Sequence, residues 1–187
     1  FNQAALKVTR GNLIKSDIWA KVIWGDIGKP EILAKDLKED YDIDLKDLLN
    51  VRTFLDHNRI WESPVQKTLS VSKSSGAYAF NGQRLNNAIV EVSLVEHLKN
   101  WKPFVEKFGL LIIELHTISP EIAAKNIGKT AATAYDATHG YSDQYILEID
   151  VFNAIIEKAG LYLDTNYFTK FPNNDLATVS VNLLKGI

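Results

Sequence analysis

GLLIIELHT, residues Gly109 to Thr117, holds a six-residue run, Leu110 to Leu115, that is apolar except at Glu114 and is followed by His116. A run of that length and character is expected to be a buried parallel strand whose carboxyl end delivers Glu114 and His116 to a functional loop. The chain on either side reads as helix. Before it, Val90, Leu94, Leu98, Trp101, Val105 and Phe108 recur at helical spacing, with Pro103 expected to break that helix and Gly109 to end it. After it comes a loop to about Ser142, and then Leu147, Val151 and Ile155 form one stripe and Ile149, Phe152 and Ile156 another. Two stripes predict a heavily buried helix from Tyr145 to Ala159, with Ser142 as its N-cap and Gly160 closing it. A strand between helices is the pattern of an α/β layered fold with a parallel sheet.

Further out, Lys21 to Gly25 reads as a strand ending at Asp26, after which Gly28, Lys29 and Pro30 open a helix with Leu33 and Leu37 on one face. A second strand fits Leu48 to Leu55, interrupted by Asn50, Arg52 and Thr53 and ending in the polar cluster Asp56, His57, Asn58 and Arg59. Ser70 to Gly82, rich in Ser and Gly, reads as a mobile loop. Leu161 to Leu163 is a short strand. From Ala177 to Leu184, Val179, Val181 and Leu183 alternate with Thr178, Ser180 and Asn182, the period of a half-exposed strand. Pro172, Asn173, Asn174 and Asp175 between these two make an antiparallel return.

At 187 residues and 46% hydrophobic, the chain is long enough for one domain with a substantial core, and residues 1–187 are taken as a single unit. Its 21 basic and 23 acidic residues leave a formal charge of -2 with no long block of either sign, so neither nucleic acid nor a membrane surface is expected as partner. No apolar run approaches the roughly 20 residues that span a bilayer, and the N-terminus lacks signal-peptide order, which points to a cytoplasmic location. Without cysteine, any metal must be held by His, Gln, Asn, Asp or Glu. Methionine is absent too and the chain opens on Phe1, so it is expected to be a piece of a longer product.

Four segments together carry a resemblance: VIWGDIGKPEIL (Val22 to Leu33), NVRTFLDHNR (Asn50 to Arg59), GLLIIELHT, and TAYDATHGYSDQYILEIDVF (Thr133 to Phe152). They resemble the metal-dependent C-methyltransferase domains that open some bacterial polyketide pathways, and the element order resembles the class I S-adenosylmethionine-dependent methyltransferase sheet from its third strand onward. The resemblance implies a Rossmann-like sheet, mostly parallel with an antiparallel final strand, with the N-terminal part missing. In one respect the chain departs from the pattern. A glycine-rich turn after the first strand should hold the methionine part of the cofactor, and no Gly-x-Gly occurs. Either that half is missing or the fragment does not bind cofactor in the usual way.

By the resemblance, the cofactors are S-adenosylmethionine and iron or manganese, and the methyl acceptor is the α-carbon of a malonyl or related unit on an acyl carrier protein, or a small acyl substrate. Asp26 and Ile27 fall where such folds hold the adenine, a carboxylate at the amino group and an apolar side chain against the ring. A surface turn in which Asp26 caps the helix at Pro30 is the structural alternative. Asp56 joins them on the cofactor side. His57, His139 and Gln144 form the candidate metal set, because two imidazoles and an amide oxygen suit iron(II) or manganese(II) with open positions. Asp56 or Asp143 would substitute or support the ligands from behind.

His57, His139 and Tyr141 are the candidate catalytic residues, either histidine serving as proton acceptor if it is not on the metal. Tyr135, Asp136, Tyr141 and Tyr145 surround His139 and would orient a β-dicarbonyl or a metal-bound water, or pack the loop onto the sheet. Glu114 and His116 lie on the ligand-binding rim, with burial of Glu114 in a structural network as the competing view. Two other functions stay open: a metal-free methyltransferase acting on a small molecule, and a noncatalytic docking module that keeps half the fold.

Overall fold

A computed structural model of the chain describes residues 3–66, 71–135 and 142–186. Its centre is a five-stranded sheet in the order β1, β4, β7, β5, with β6 also paired to β7. The strands are β1 (Asn50–Thr53), β4 (Leu110–Leu115), β5 (Leu161–Leu163), β6 (Thr169–Phe171) and β7 (Val179–Gly186), while β2 (Tyr78–Phe80) and β3 (Gln83–Leu85) form a separate hairpin. β1 runs parallel to β4, and β7 is antiparallel to β4, β5 and β6, so four strands point one way and only the last opposes them. This is the mixed α/β, Rossmann-like arrangement expected from the element order, with its antiparallel final strand.

The helices are α1 (Gln3–Lys15), α2 (Pro30–Tyr41), α3 (Asn87–Trp101), α4 (Pro120–Lys125), α5 (Ala132–Tyr135) and α6 (Ile149–Lys158). Pro30 stands in the first turn of α2, where its missing N–H costs nothing, and Asp42 closes that helix in the left-handed conformation. The Asn86 side chain caps α3 by accepting from the Ala88 N–H at 2.8 Å. Val90, Leu94 and Leu98 of α3 and Phe152, Ile155 and Ile156 of α6 pack with Leu110, Ile112 and Leu184 of the sheet in one buried cluster. Each such side chain contributes about 1.5–3 kcal/mol of transfer free energy when fully buried.

Lys21 to Gly25, expected as a strand, is irregular. Its apolar residues are used without strand pairing: Ile23 and Ile27 lean on the core, and the Val22 carbonyl accepts from Arg10. The Ser- and Gly-rich stretch expected as loop contains β2, and Asn81 (φ 50°) with Gly82 (φ 74°) makes the tight turn into β3. Asn-Gly with both residues at positive φ is a strong hairpin signal.

The last long helix begins at Ile149 rather than Tyr145, and Glu148 rather than Ser142 occupies its N-cap. Tyr145 to Leu147 are buried and extended, held by Tyr145 N donating to the His57 carbonyl and Thr117 N donating to the Leu147 carbonyl. Gln144, expected in the first turn of that helix, therefore precedes it.

In β7 the buried residues are Ser180, Asn182 and Leu184, so the polar side chains of the alternation face inward. Asn182 Nδ2 donates to the Ile112 carbonyl and to Ser180 Oγ, while its Oδ1 is buried without a partner among the described residues. Gly109 (φ 93°) turns the chain into β4, and a Cβ at this position would stand 2.7 Å from the Leu184 carbonyl.

Candidate functional site

Polar side chains gather where β1 and β4 end. Phe54, at φ 56°, turns the chain sharply after β1 and lays Asp56 and His57 across the end of β4. There the Glu114 carboxylate, 2% exposed, accepts four hydrogen bonds: from the backbone N–H groups of Asp56 (3.0 Å), His57 (3.2 Å) and Leu115 (2.7 Å), and from His57 Nδ1 (2.5 Å). A carboxylate only accepts, so Nδ1 carries a proton and Nε2 is the nitrogen left for another partner. Among the described residues Nε2 has no hydrogen-bond partner, and the residue is 7% exposed. A fixed imidazole backed by a buried carboxylate, with one free nitrogen, is equipped to accept a proton.

Behind this pair lies a buried ionic cluster. Arg52 of β1 and Asp56 form an ion pair at 2.9 Å whose angle is not that of a hydrogen bond, and Nε2 of His97 on α3 lies 3.1 Å from the same Asp56 oxygen and 3.3 Å from Arg52 Nη1. Arg59 donates to the Asp56 carbonyl at 2.9 Å and reaches Ser93 Oγ at 3.3 Å. Arg52 also stacks over Trp101, 4.7 Å from the ring centre. Burial opposes ionisation of Asp56, but Arg52, His97 and Arg59 together outweigh it and hold its pKa at about 2. Burial likewise lowers Arg59 to about 10, where it remains charged at pH 7.

His116 is fully buried and serves the fold. Its Nδ1 donates to the Leu147 carbonyl (3.0 Å), so its Nε2 accepts from the Ser180 hydroxyl (2.6 Å). Burial pushes its pKa down to about 4 from 6.5, the bare Nε2 being part of the same neutral network. Between those two values the unfolded chain binds a proton that the fold rejects, so stability is expected to fall as pH drops from about 6.5 to about 4. A His116→Gln variant should show a shallower decline over that window in urea titrations; an unchanged slope would assign the acid sensitivity to other groups.

The serine-rich segment expected to be mobile is tied down where it is described. Glu91 accepts from Ser72 Oγ and the N–H groups of Lys73 and Ser74, and Glu148 accepts from Ser74 Oγ and from the Ser75 N–H and hydroxyl. Tyr78 in turn donates to the Ile146 carbonyl, joining the hairpin to the extended stretch beside His57.

A cavity of about 360 Å³ is bordered by Asp26, Gly28, Arg59, Ser93 and His97. Asp26 does not cap α2, whose N-cap is Lys29 without a side-chain bond. Instead its Oδ1 accepts from the Gly28 N–H at 2.8 Å, and its other oxygen is unpaired. Ile27 packs on the core and its carbonyl accepts from Trp101 Nε1 at 2.7 Å, so this side chain is not on the cavity wall. Asp56 is committed to its internal partners rather than to that wall.

The structure therefore brings Asp56 and His57 together with Glu114, and Asp26 and His97 border one cavity; of the expected metal set it describes only His57 and Gln144. His139 and Tyr141 lie outside the described residues. Gln144 is half-buried in the extended stretch, and Asp143 accepts from the Asn81 N–H. With His57 Nδ1 occupied by Glu114, no group of three His, Asp or Glu side chains that suits a metal ion exists among the described residues. Arg52 and His97 were missed in the sequence; the available signal was Ser93 and His97, one turn apart among the apolar positions of α3. No helix among the described residues is long and apolar enough to cross a membrane.

A family model described as the AprA MT2-like domain, a methyltransferase family, matches residues 1–182. No curated protein matches the chain.

Proposed function

The chain belongs to the AprA MT2-like methyltransferase family, and we propose that it is an S-adenosylmethionine-dependent C-methyltransferase in which the His57–Glu114 pair is the proton acceptor. The carrying observation is that pair: a carboxylate with all its hydrogen bonds satisfied orients an imidazole whose second nitrogen is free. S-adenosylmethionine, when bound, supplies a methyl group on a positively charged sulfur. Asp26 is proposed to meet its adenine, a reading supported by its position on the wall of the 360 Å³ cavity.

The acceptor is an activated acyl unit such as malonyl on an acyl carrier protein. His57 Nε2 takes the proton from the α-carbon, and the electron pair left on that carbon forms the new bond to the methyl group as the bond from sulfur to methyl breaks. Glu114 stabilises the imidazolium that results and keeps the ring in the required orientation. The described donors do not assemble a site for iron or manganese, and no step is routed through one.

The test is transfer of labelled methyl from S-adenosylmethionine to malonyl- and methylmalonyl-loaded carrier protein, before and after exhaustive chelation. Transfer that survives chelation supports the histidine base. Transfer that is lost on chelation and restored by iron or manganese would return catalysis to a metal-assisted route, and transfer only to hydroxyl acceptors would overturn carbon as the nucleophile.

A further inference from the structure

Tyr145 is 1% exposed, and its hydroxyl is buried without a hydrogen-bond partner among the described residues. Hydroxyls buried in folded proteins are almost always paired, so one left unpaired calls for a reason. Its ring is well accommodated. It lies 5.1 Å from the ring of Trp61, and the Arg59 guanidinium stands 5.2 Å from its centre. Burial pushes the pKa of the phenol up to about 12, so the oxygen keeps its proton and stays a donor.

The Tyr145 N–H donates to the His57 carbonyl at 2.7 Å, which joins the backbones of the two residues. Both residues also border one void, together with Glu114. That void measures about 10 Å³, room for no more than one water. The residue with the proton acceptor and the residue with the unpaired donor therefore meet at one spot.

We propose that Tyr145 is a second catalytic residue, whose hydroxyl donates to the carbonyl oxygen of the acyl substrate and stabilises the enolate oxygen that forms there. The inference rests on the reading that His57 removes a proton from the α-carbon. An acyl group is larger than the void, so its entry displaces the Tyr145 segment, and a hydroxyl without an internal partner gives up no bond in turning to it. As His57 Nε2 takes the α-proton, the C–H electron pair becomes the carbon–carbon π bond and the carbonyl π pair moves to oxygen, where it meets the phenolic O–H. Tyr145 keeps its proton throughout. When the carbon–carbon π pair forms the bond to the methyl group, the oxygen pair returns to the carbonyl. A single donor aimed at developing charge supplies about 100- to 1,000-fold in rate.

Tyr145→Phe removes the hydroxyl and keeps the ring that Trp61 and Arg59 pack against. The experiment measures deuterium uptake at the α-carbon of methylmalonyl-loaded carrier protein in heavy water, without methyl donor, beside single-turnover methyl transfer. Wild type, Tyr145→Phe and His57→Asn are compared as intact chains. Tyr145→Phe is expected to slow both processes by about 100- to 1,000-fold while the affinity for S-adenosylhomocysteine is unchanged. Its urea midpoint should lie at or above that of wild type, because no internal hydrogen bond is lost.

A lower midpoint would give the hydroxyl a structural role and overturn the inference. Uptake and transfer within about threefold of wild type in Tyr145→Phe, with both lost in His57→Asn, overturn the inference and leave the histidine base standing. A wild type that neither exchanges the α-proton nor methylates that carbon overturns the acyl reading, and the inference with it.

Discussion

His57→Asn is expected to slow methyl transfer by about 100- to 10,000-fold, the range that a positioned general base supplies. Asparagine carries an amide nitrogen close to the place of Nδ1, so the hydrogen bond to Glu114 and the local fold are kept while the free Nε2 is removed. The loss should fall on kcat, with KM for the acyl substrate and the affinity for S-adenosylhomocysteine nearly unchanged, because the group acts only as the proton moves. Single-turnover transfer measured beside a urea titration separates chemistry from folding. A folded His57→Asn variant at the wild-type rate would remove His57 from the catalytic role and direct attention to the His139 loop.

Asp56→Ala is expected to destabilise the fold by about 3–5 kcal/mol, the usual cost of breaking a buried ion pair from one side. The magnitude follows from what is left behind. Arg52 and Arg59 are 3% and 5% exposed, and each would keep its charge with its nearest carboxylate gone. His97 would lose its carboxylate neighbour as well.

The pH dependence has a definite sign. The carboxyl is held at about 2 against an ordinary 3.8, so its stabilisation is fully present above about pH 4 and is lost as pH falls through about 2. Asp56→Ala should therefore flatten the acid limb of the stability curve, although part of that limb belongs to His116 at higher pH. Chemical denaturation between pH 2 and 7 reads both quantities. A cost below about 1 kcal/mol would show that solvent, rather than Asp56, balances the two guanidinium groups.

Much of the architecture is legible along the chain. Leu110 to Leu115 and Leu161 to Leu163 are strands with the expected bounds, Gly160 closes the helix before the second of them, Gly109 instead turns an irregular stretch into the first, and the final strand opposes the rest. Each of these depends on residues a few positions apart: an apolar run, a helical stripe, a glycine at positive φ. Where the expectation failed, a distant partner intervened. Tyr145 to Leu147 have a helical pattern, yet bonds to His57 and Thr117 draw them out straight. Lys21 to Gly25 have a strand's composition but no strand beside them.

The candidate site divides along the same line. His57, Asp56 and Asp26 stand out in the sequence because polar residues at the end of an apolar run invite a role. That Glu114, 57 positions away, orients His57 was not visible, nor that His97 borders the same cavity as Asp26. By itself the sequence determined the element types, the order of strands and helices and the methyltransferase resemblance, because local periodicity and side-chain chemistry act over one or two turns. Only the tertiary structure decided which carboxylate meets which histidine, which face of β7 turns inward, and that Asp56 belongs to the arginines; those choices rest on convergence across the sheet, where burial leaves a polar group stable only beside the partner that satisfies it.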